Sequence, residues 1–111
     1  MNEIRKKRME ELIVRELADL IHKRKSKDER IGFVSLTGAD ISPDLSALRV
    51  SVSLFASDEE NRATFKALTV HAGFFQSTLA RNLRLRQTPH LTFEIDTSIR
   101  EGDRIIDIME S

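Results

Sequence analysis

Apolar residues in the first 25 positions fall at helical spacing. Ile4, Met9, Leu12, Ile13, Leu17, Leu20 and Ile21 share one stripe, with charged side chains opposite, predicting a helix from Glu3 to about Lys25. The period then changes. Lys27 to Gly32 is polar and reads as a loop, and a strand follows from Phe33 to about Ser42. Val34 and Leu36 share one parity, Ala39 and Ile41 the other, with Gly38 between the pairs. That switch is the pattern of a β-bulge. Ser42-Pro43-Asp44-Leu45-Ser46 has turn chemistry, and from Leu48 to Phe55 the alternation is clean. Leu48, Val50, Val52 and Leu54 point inward; Arg49, Ser51 and Ser53 point outward.

Ser57 and Glu60 form a capping-box pair that opens a long helical run to Leu85. Ala63, Ala67 and Leu68 lie on one face, and Phe75, Leu79 and Leu83 form a second stripe. Between them Ala72-Gly73 predicts a break, because mid-helix glycine costs roughly 1 kcal/mol relative to alanine. Pro89 stops the helix, Leu91 to Asp96 alternates as a third strand, and Ile105, Ile106, Ile108 and Met109 suggest a short closing helix. The order is α-β-β-α(kink)α-β-α over a single domain, residues 1–111. It predicts an α+β fold with helices packed on one face of a three-stranded sheet.

Composition narrows the chemistry. The formal net charge is zero, but residues 1–27 carry nine Lys/Arg against five Asp/Glu, and residues 94–110 carry two against six. A basic region and an acidic tail can cancel in sum while remaining separate in space. Absence of cysteine excludes disulfides and thiolate metal sites. His22, His71 and His90 lack ligand spacing, so neither a metal nor a cofactor is expected. No nucleophile–base pair stands out, and an enzyme is not expected. With no apolar run near ~20 residues and no secretory leader, a cytosolic chain without membrane attachment is expected.

The candidate site is a set of cations and a glycine. Arg81, Arg84 and Arg86 crowd the end of the kinked helix with no acidic residue among them, and Ala72 and Gly73 form the kink. Arg5, Lys6, Lys7 and Arg8 occupy the first turns of the first helix, where the macrodipole disfavours cations. Lys and Arg neutralise phosphates and release counterions, the arginine fork holds a phosphate bidentately, and a glycine lets a backbone come close. Plain structural roles compete. Gly73 could serve helix–sheet packing, the arginines could cap a helix end, and the basic run from His22 to Lys25 needs only the dipole. Phe33, Phe65, Phe75 and Phe93 read as core, leaving Phe55 and Phe74 as the surface aromatics, so stacking on bases has little support.

Taken together, these segments resemble the ribosome-binding factor A family, whose fold is a type II KH-like domain. The resemblance spans nearly the whole chain. It rests on Asp28-Glu29-Arg30-Ile31-Gly32, Ser42-Pro43-Asp44-Leu45 with Ala47 and Val50-Ser51-Val52-Ser53, Gly73-Phe74, Leu83-Arg84-Leu85-Arg86 with Pro89, Leu91-Thr92-Phe93, and Asp96-Thr97-Ser98. Glu29 replaces a usual proline, and His71-Ala72-Gly73 stands where the family tends to have Ala-x-Gly. The Gly-x-x-Gly loop of ordinary KH domains is absent.

The resemblance implies an RNA-binding assembly factor in ribosome biogenesis. Such a factor binds the immature 30S subunit and 16S rRNA near its 5′-terminal helix, aiding late maturation, rRNA processing and growth in the cold. It further implies a cytoplasmic monomer, with an assembly GTPase as a partner in release. Ala72, Gly73, Arg81, Arg84 and Arg86 are the positions it places on RNA; Arg5 to Arg8 are added on electrostatic grounds. The alternative is a protein-interaction module docking through the N-terminal helix or the open sheet face.

Overall fold

The computed structural model describes residues 2–96. Helix α1 (Glu3–Lys25) is capped by Asn2, whose side-chain oxygen accepts from the Arg5 amide at 2.8 Å. It buries Ile13, Leu17, Leu20 and Ile21. Two members of the predicted stripe stay outside: Ile4 is 67% exposed and Leu12 48%. At about 1.5 Å per residue α1 is longer than the strand beneath it, so its first turn overhangs the sheet. Leu12 sits about 100° around the helix from Ile13, on the flank of the buried face.

Strands β1 (Val34–Ile41) and β2 (Ala47–Leu54) form the expected antiparallel hairpin. Leu36 opposes Val52 and Gly38 opposes Ser51, which leaves Thr37 as the extra residue of the bulge. Leu48, Val50, Val52 and Leu54 are buried as the alternation predicts. Ser53 departs from it and is wholly buried. It lies on β2, the central strand of the sheet. Phe33 departs the other way. It opposes Phe55 beyond the last hairpin pair and is 64% exposed rather than core.

Helix α2 (Asp58–Val70) starts at Ser57, whose hydroxyl accepts from the Glu60 amide at 3.2 Å. Its buried face includes two polar residues. Asn61 accepts from the Ala56 amide and donates to the Ala56 carbonyl, both at 3.1 Å. Thr64 Oγ1 accepts from the Gly32 amide at 3.0 Å and donates to the Arg30 carbonyl at 3.2 Å. A Cβ at position 32 would lie 3.1 Å from that hydroxyl, so glycine permits this approach of loop to helix.

The break falls at His71, one residue before the predicted Ala72-Gly73, with φ −91° and ψ 2°. Helix α3 (Ala72–Asn82) then buries Phe75, Thr78, Leu79 and Ala80, and Phe75 meets Phe93 edge-on at 6.2 Å. Strand β3 (His90–Ile95) pairs parallel with β2, which makes a mixed sheet of order β1-β2-β3. Helix α1 lies over β1, and α2 and α3 over β3, around one core on one face of the sheet. The helix expected over Ile105–Met109 lies outside the described residues.

Candidate nucleic-acid interface

The arginines at the end of α3 sit on an unusual backbone. The Arg84 amide donates to the Arg81 carbonyl, and the Leu85 amide reaches back to the Ala80 carbonyl at 2.9 Å. That pair of bonds is the Schellman ending of a helix, with Arg84 at the left-handed position that glycine normally fills. Its φ is +53°. A side chain there strains against the backbone by roughly 1–2 kcal/mol. Arg81, Arg84 and Arg86 are all exposed. No salt bridge joins them to another described residue.

The loop bearing these arginines is tied to the β1–β2 turn. Gln87 Nε2 donates to the Asp44 carbonyl, and the His90 amide donates to the Ser46 carbonyl at 2.9 Å. The turn is itself rigid: Asp44 accepts from the Ser46 hydroxyl at 2.7 Å and the Ser42 hydroxyl at 2.8 Å. These bonds, with the Ser46 amide, hold the Asp44 carboxyl down to about 2. The turn role expected of Asp44 is therefore its actual role.

The start of α1 reaches the same end of the hairpin. Lys6 Nζ bonds Asp40 and Glu10, both at 2.7 Å, and Asp40 also takes Arg49 at 2.8 Å. Arg49 and Lys6 keep the Asp40 carboxyl below its ordinary range, and Asp40 in turn raises Lys6. The charge of Lys6 is thus committed within the fold. Arg5, Lys7 and Arg8 are exposed, so three cations of the predicted four face solvent.

The kink lies elsewhere. Gly73 is exposed in the first turn of α3, and a Cβ added to it would meet nothing within 4 Å among the described residues. Tight helix–sheet packing is therefore not the reason for a glycine here. Eleven residues separate Gly73 from Arg84, about 16 Å along a helix axis. The structure brings the α3 arginines and the α1 start to one end of the molecule and sets Ala72-Gly73 at the other.

Different cations surround the kink. His71 Nε2 lies 2.8 Å from Asp28 Oδ2, and Arg30 grips the same carboxylate at 2.7 Å. Arg30 first, then His71, hold Asp28 well below the usual carboxylate range. An ionised Asp28 only accepts, so the His71 Nε2–H is the donor. Beside it the Arg24 guanidinium stacks over Phe74, 4.0 Å from the ring centre. Sequence reasoning passes over Arg24 because the dipole accounts for the basic run around it. The signal that could have found it is the aromatic next to Gly73.

The described residues hold no group of three or more side chains suited to a metal, and no described helix is long and apolar enough to cross a membrane.

The chain matches the family model of ribosome-binding factor A over residues 5–109. A relative from Desulforamulus reducens named ribosome-binding factor A is 40% identical over 105 residues, covering 95% of this chain and 87% of the relative. The crystal structure of ribosome-binding factor A from Thermus thermophilus superposes with a TM-score of 0.70 at 29% identity, covering 81% of this chain and 94% of that one. A Thermus thermophilus homology model fitted into a cryo-electron microscopy map of a 30S complex gives 0.62 at 28% identity, over 78% and 89%.

Proposed function

As a chain that belongs to the ribosome-binding factor A family, we propose that this protein binds the small ribosomal subunit during its assembly. The partner is the immature 30S particle, contacted through 16S rRNA near its 5′-terminal helix, and the consequence is late maturation that matters most in the cold. The related protein fitted into a 30S complex supports the particle as partner. A cytoplasmic monomer released with the help of an assembly GTPase completes the reading.

The observation that carries it is Arg84, an arginine held in left-handed backbone among exposed arginines, on the end of the molecule that also presents Arg5, Lys7 and Arg8. The mechanism is backbone recognition: forked cations take phosphates, and affinity falls steeply with salt. Ala72 and Gly73 offer a second approach, where a helix start lacks a side chain and a strand of RNA can come near. Lys6, its own charge satisfied by Asp40 and Glu10, ties the start of α1 to β1.

The test is co-sedimentation with immature and mature small subunits from cells grown cold. Preferential association with immature particles is expected; equal or no association would refute the proposal. A second reading, docking of a protein on α1, is favoured by the exposure of Ile4 and Leu12. An apolar contact there would hardly respond to salt.

A further inference from the structure

Phe33 and Phe55 do not belong to the core. They are 64% and 52% exposed, and they stand opposite one another where the β1–β2 hairpin opens, ring centres 6.2 Å apart and tilted by 53°. Rings this close touch each other, so nothing planar fits between them; a second aromatic can stack only on their outer faces. Phe33 also walls a cavity of about 220 Å³ against the last turns of α1, and His22 and Lys25 stand on its rim. Among the described residues, no carboxylate lines that cavity. Its volume lies below the roughly 300–1,000 Å³ that holds drug-sized ligands, which suits one small planar group.

We infer that Phe33 and Phe55, with the cavity bordered by His22 and Lys25, form a stacking subsite for one unpaired nucleobase of RNA. Two features select a nucleobase over an apolar peptide. The walls join the exposed Phe33 ring to Lys25, with no acid among the described lining residues, and Arg24 over Phe74 on the same end of α1 repeats the pairing of cation and ring. Rings take the base, and Lys25 takes the adjoining phosphate. The subsite lies one hairpin length, about 25 Å, from the turn beside which the arginines sit. RNA would therefore be held at two points, by phosphates at one end and a base at the other. This inference rests on the reading of the chain as an rRNA binder.

The chain contains no tryptophan or tyrosine, so Phe33→Trp introduces a lone indole at the subsite. Single-stranded oligouridylate should quench its fluorescence saturably, and inorganic polyphosphate should not. Quenching by polyphosphate to the same extent would overturn stacking. In parallel, Phe33→Leu/Phe55→Leu should stay folded with a melting midpoint lowered by only a few degrees, since both residues are more than half exposed. It should weaken association with immature 30S particles by between about fivefold and a hundredfold, the range for one stacked base. The salt dependence should not change. Wild-type association by this double variant, while Arg81→Ala/Arg84→Ala/Arg86→Ala loses it, would overturn the subsite and leave the ribosomal reading intact. Quenching by oligouridylate with no binding of the wild-type protein to particles would do the reverse.

Discussion

Replacing Arg84 by glycine should stabilise this protein and weaken its hold on RNA. At φ +53° the arginine suffers left-handed strain of roughly 1–2 kcal/mol that glycine does not. Against this, glycine frees the unfolded chain by roughly 0.5–1 kcal/mol. The Schellman bonds involve backbone only, so both variants keep them. The net gain is about 0–1.5 kcal/mol, centred near ~0.75, or a rise in melting midpoint of up to roughly 6 °C for a domain near this size. In urea, with m near ~1–3 kcal/mol/M, the midpoint should move up by a few tenths of a molar unit. Association with immature small subunits, measured across a salt series, should reflect one phosphate fewer neutralised. The slope of log K against log salt should become shallower by about 0.7–0.9. A lower melting midpoint would refute the strain, and an unchanged slope would remove Arg84 from the interface. Both measurements come from one preparation, so misfolding cannot be mistaken for weaker RNA binding.

Three further outcomes follow from the same geometry. Gly73→Ala has open space for its methyl and should raise stability by up to ~1 kcal/mol while reducing particle association; association at the wild-type level would show that nothing approaches the backbone there. Thr64→Val strips the Gly32 amide and Arg30 carbonyl of their partner and should cost roughly 1–3 kcal/mol in urea unfolding, with a loss below a few tenths contradicting the role of that hydroxyl. The Asp44 carboxyl is lowered from 3.8 to about 2 in the folded chain, so its contribution is present above about pH 4 and lost as pH falls toward 2. Stability of Asp44→Asn should therefore fall less steeply through that window than the wild type's, and parallel profiles would be inconsistent with the bonding described.

Much of the fold is legible in the sequence because it depends on local periodicity. The parity change around Gly38 locates the bulge, and the clean alternation of β2 locates the core strand. What depends on neighbours distant in the chain is not legible. The break falls at His71 rather than Gly73, where Asp28, forty-three residues away in the chain, holds the imidazole. Asn61 and Thr64 look like surface positions by composition, yet they are buried by bonds to loop backbone that no helical pattern encodes. Hydrophobicity alone puts Phe33 in the core; only the hairpin register sets it opposite Phe55 and outside. Of the candidate site, the exposed arginines are evident from sequence. The left-handed backbone of Arg84, the internal pairing of Lys6 and the stacking of Arg24 on Phe74 are not, since each requires a tertiary neighbour or an exception to the glycine rule.

The most direct test compares the salt dependence of particle binding in wild type and Arg81→Ala/Arg84→Ala/Arg86→Ala. Removing three cations from the phosphates should flatten the log–log slope by about 2–3, with the circular dichroism spectrum unchanged. The same slope in both proteins would contradict the claim that the end of α3 grips the RNA backbone.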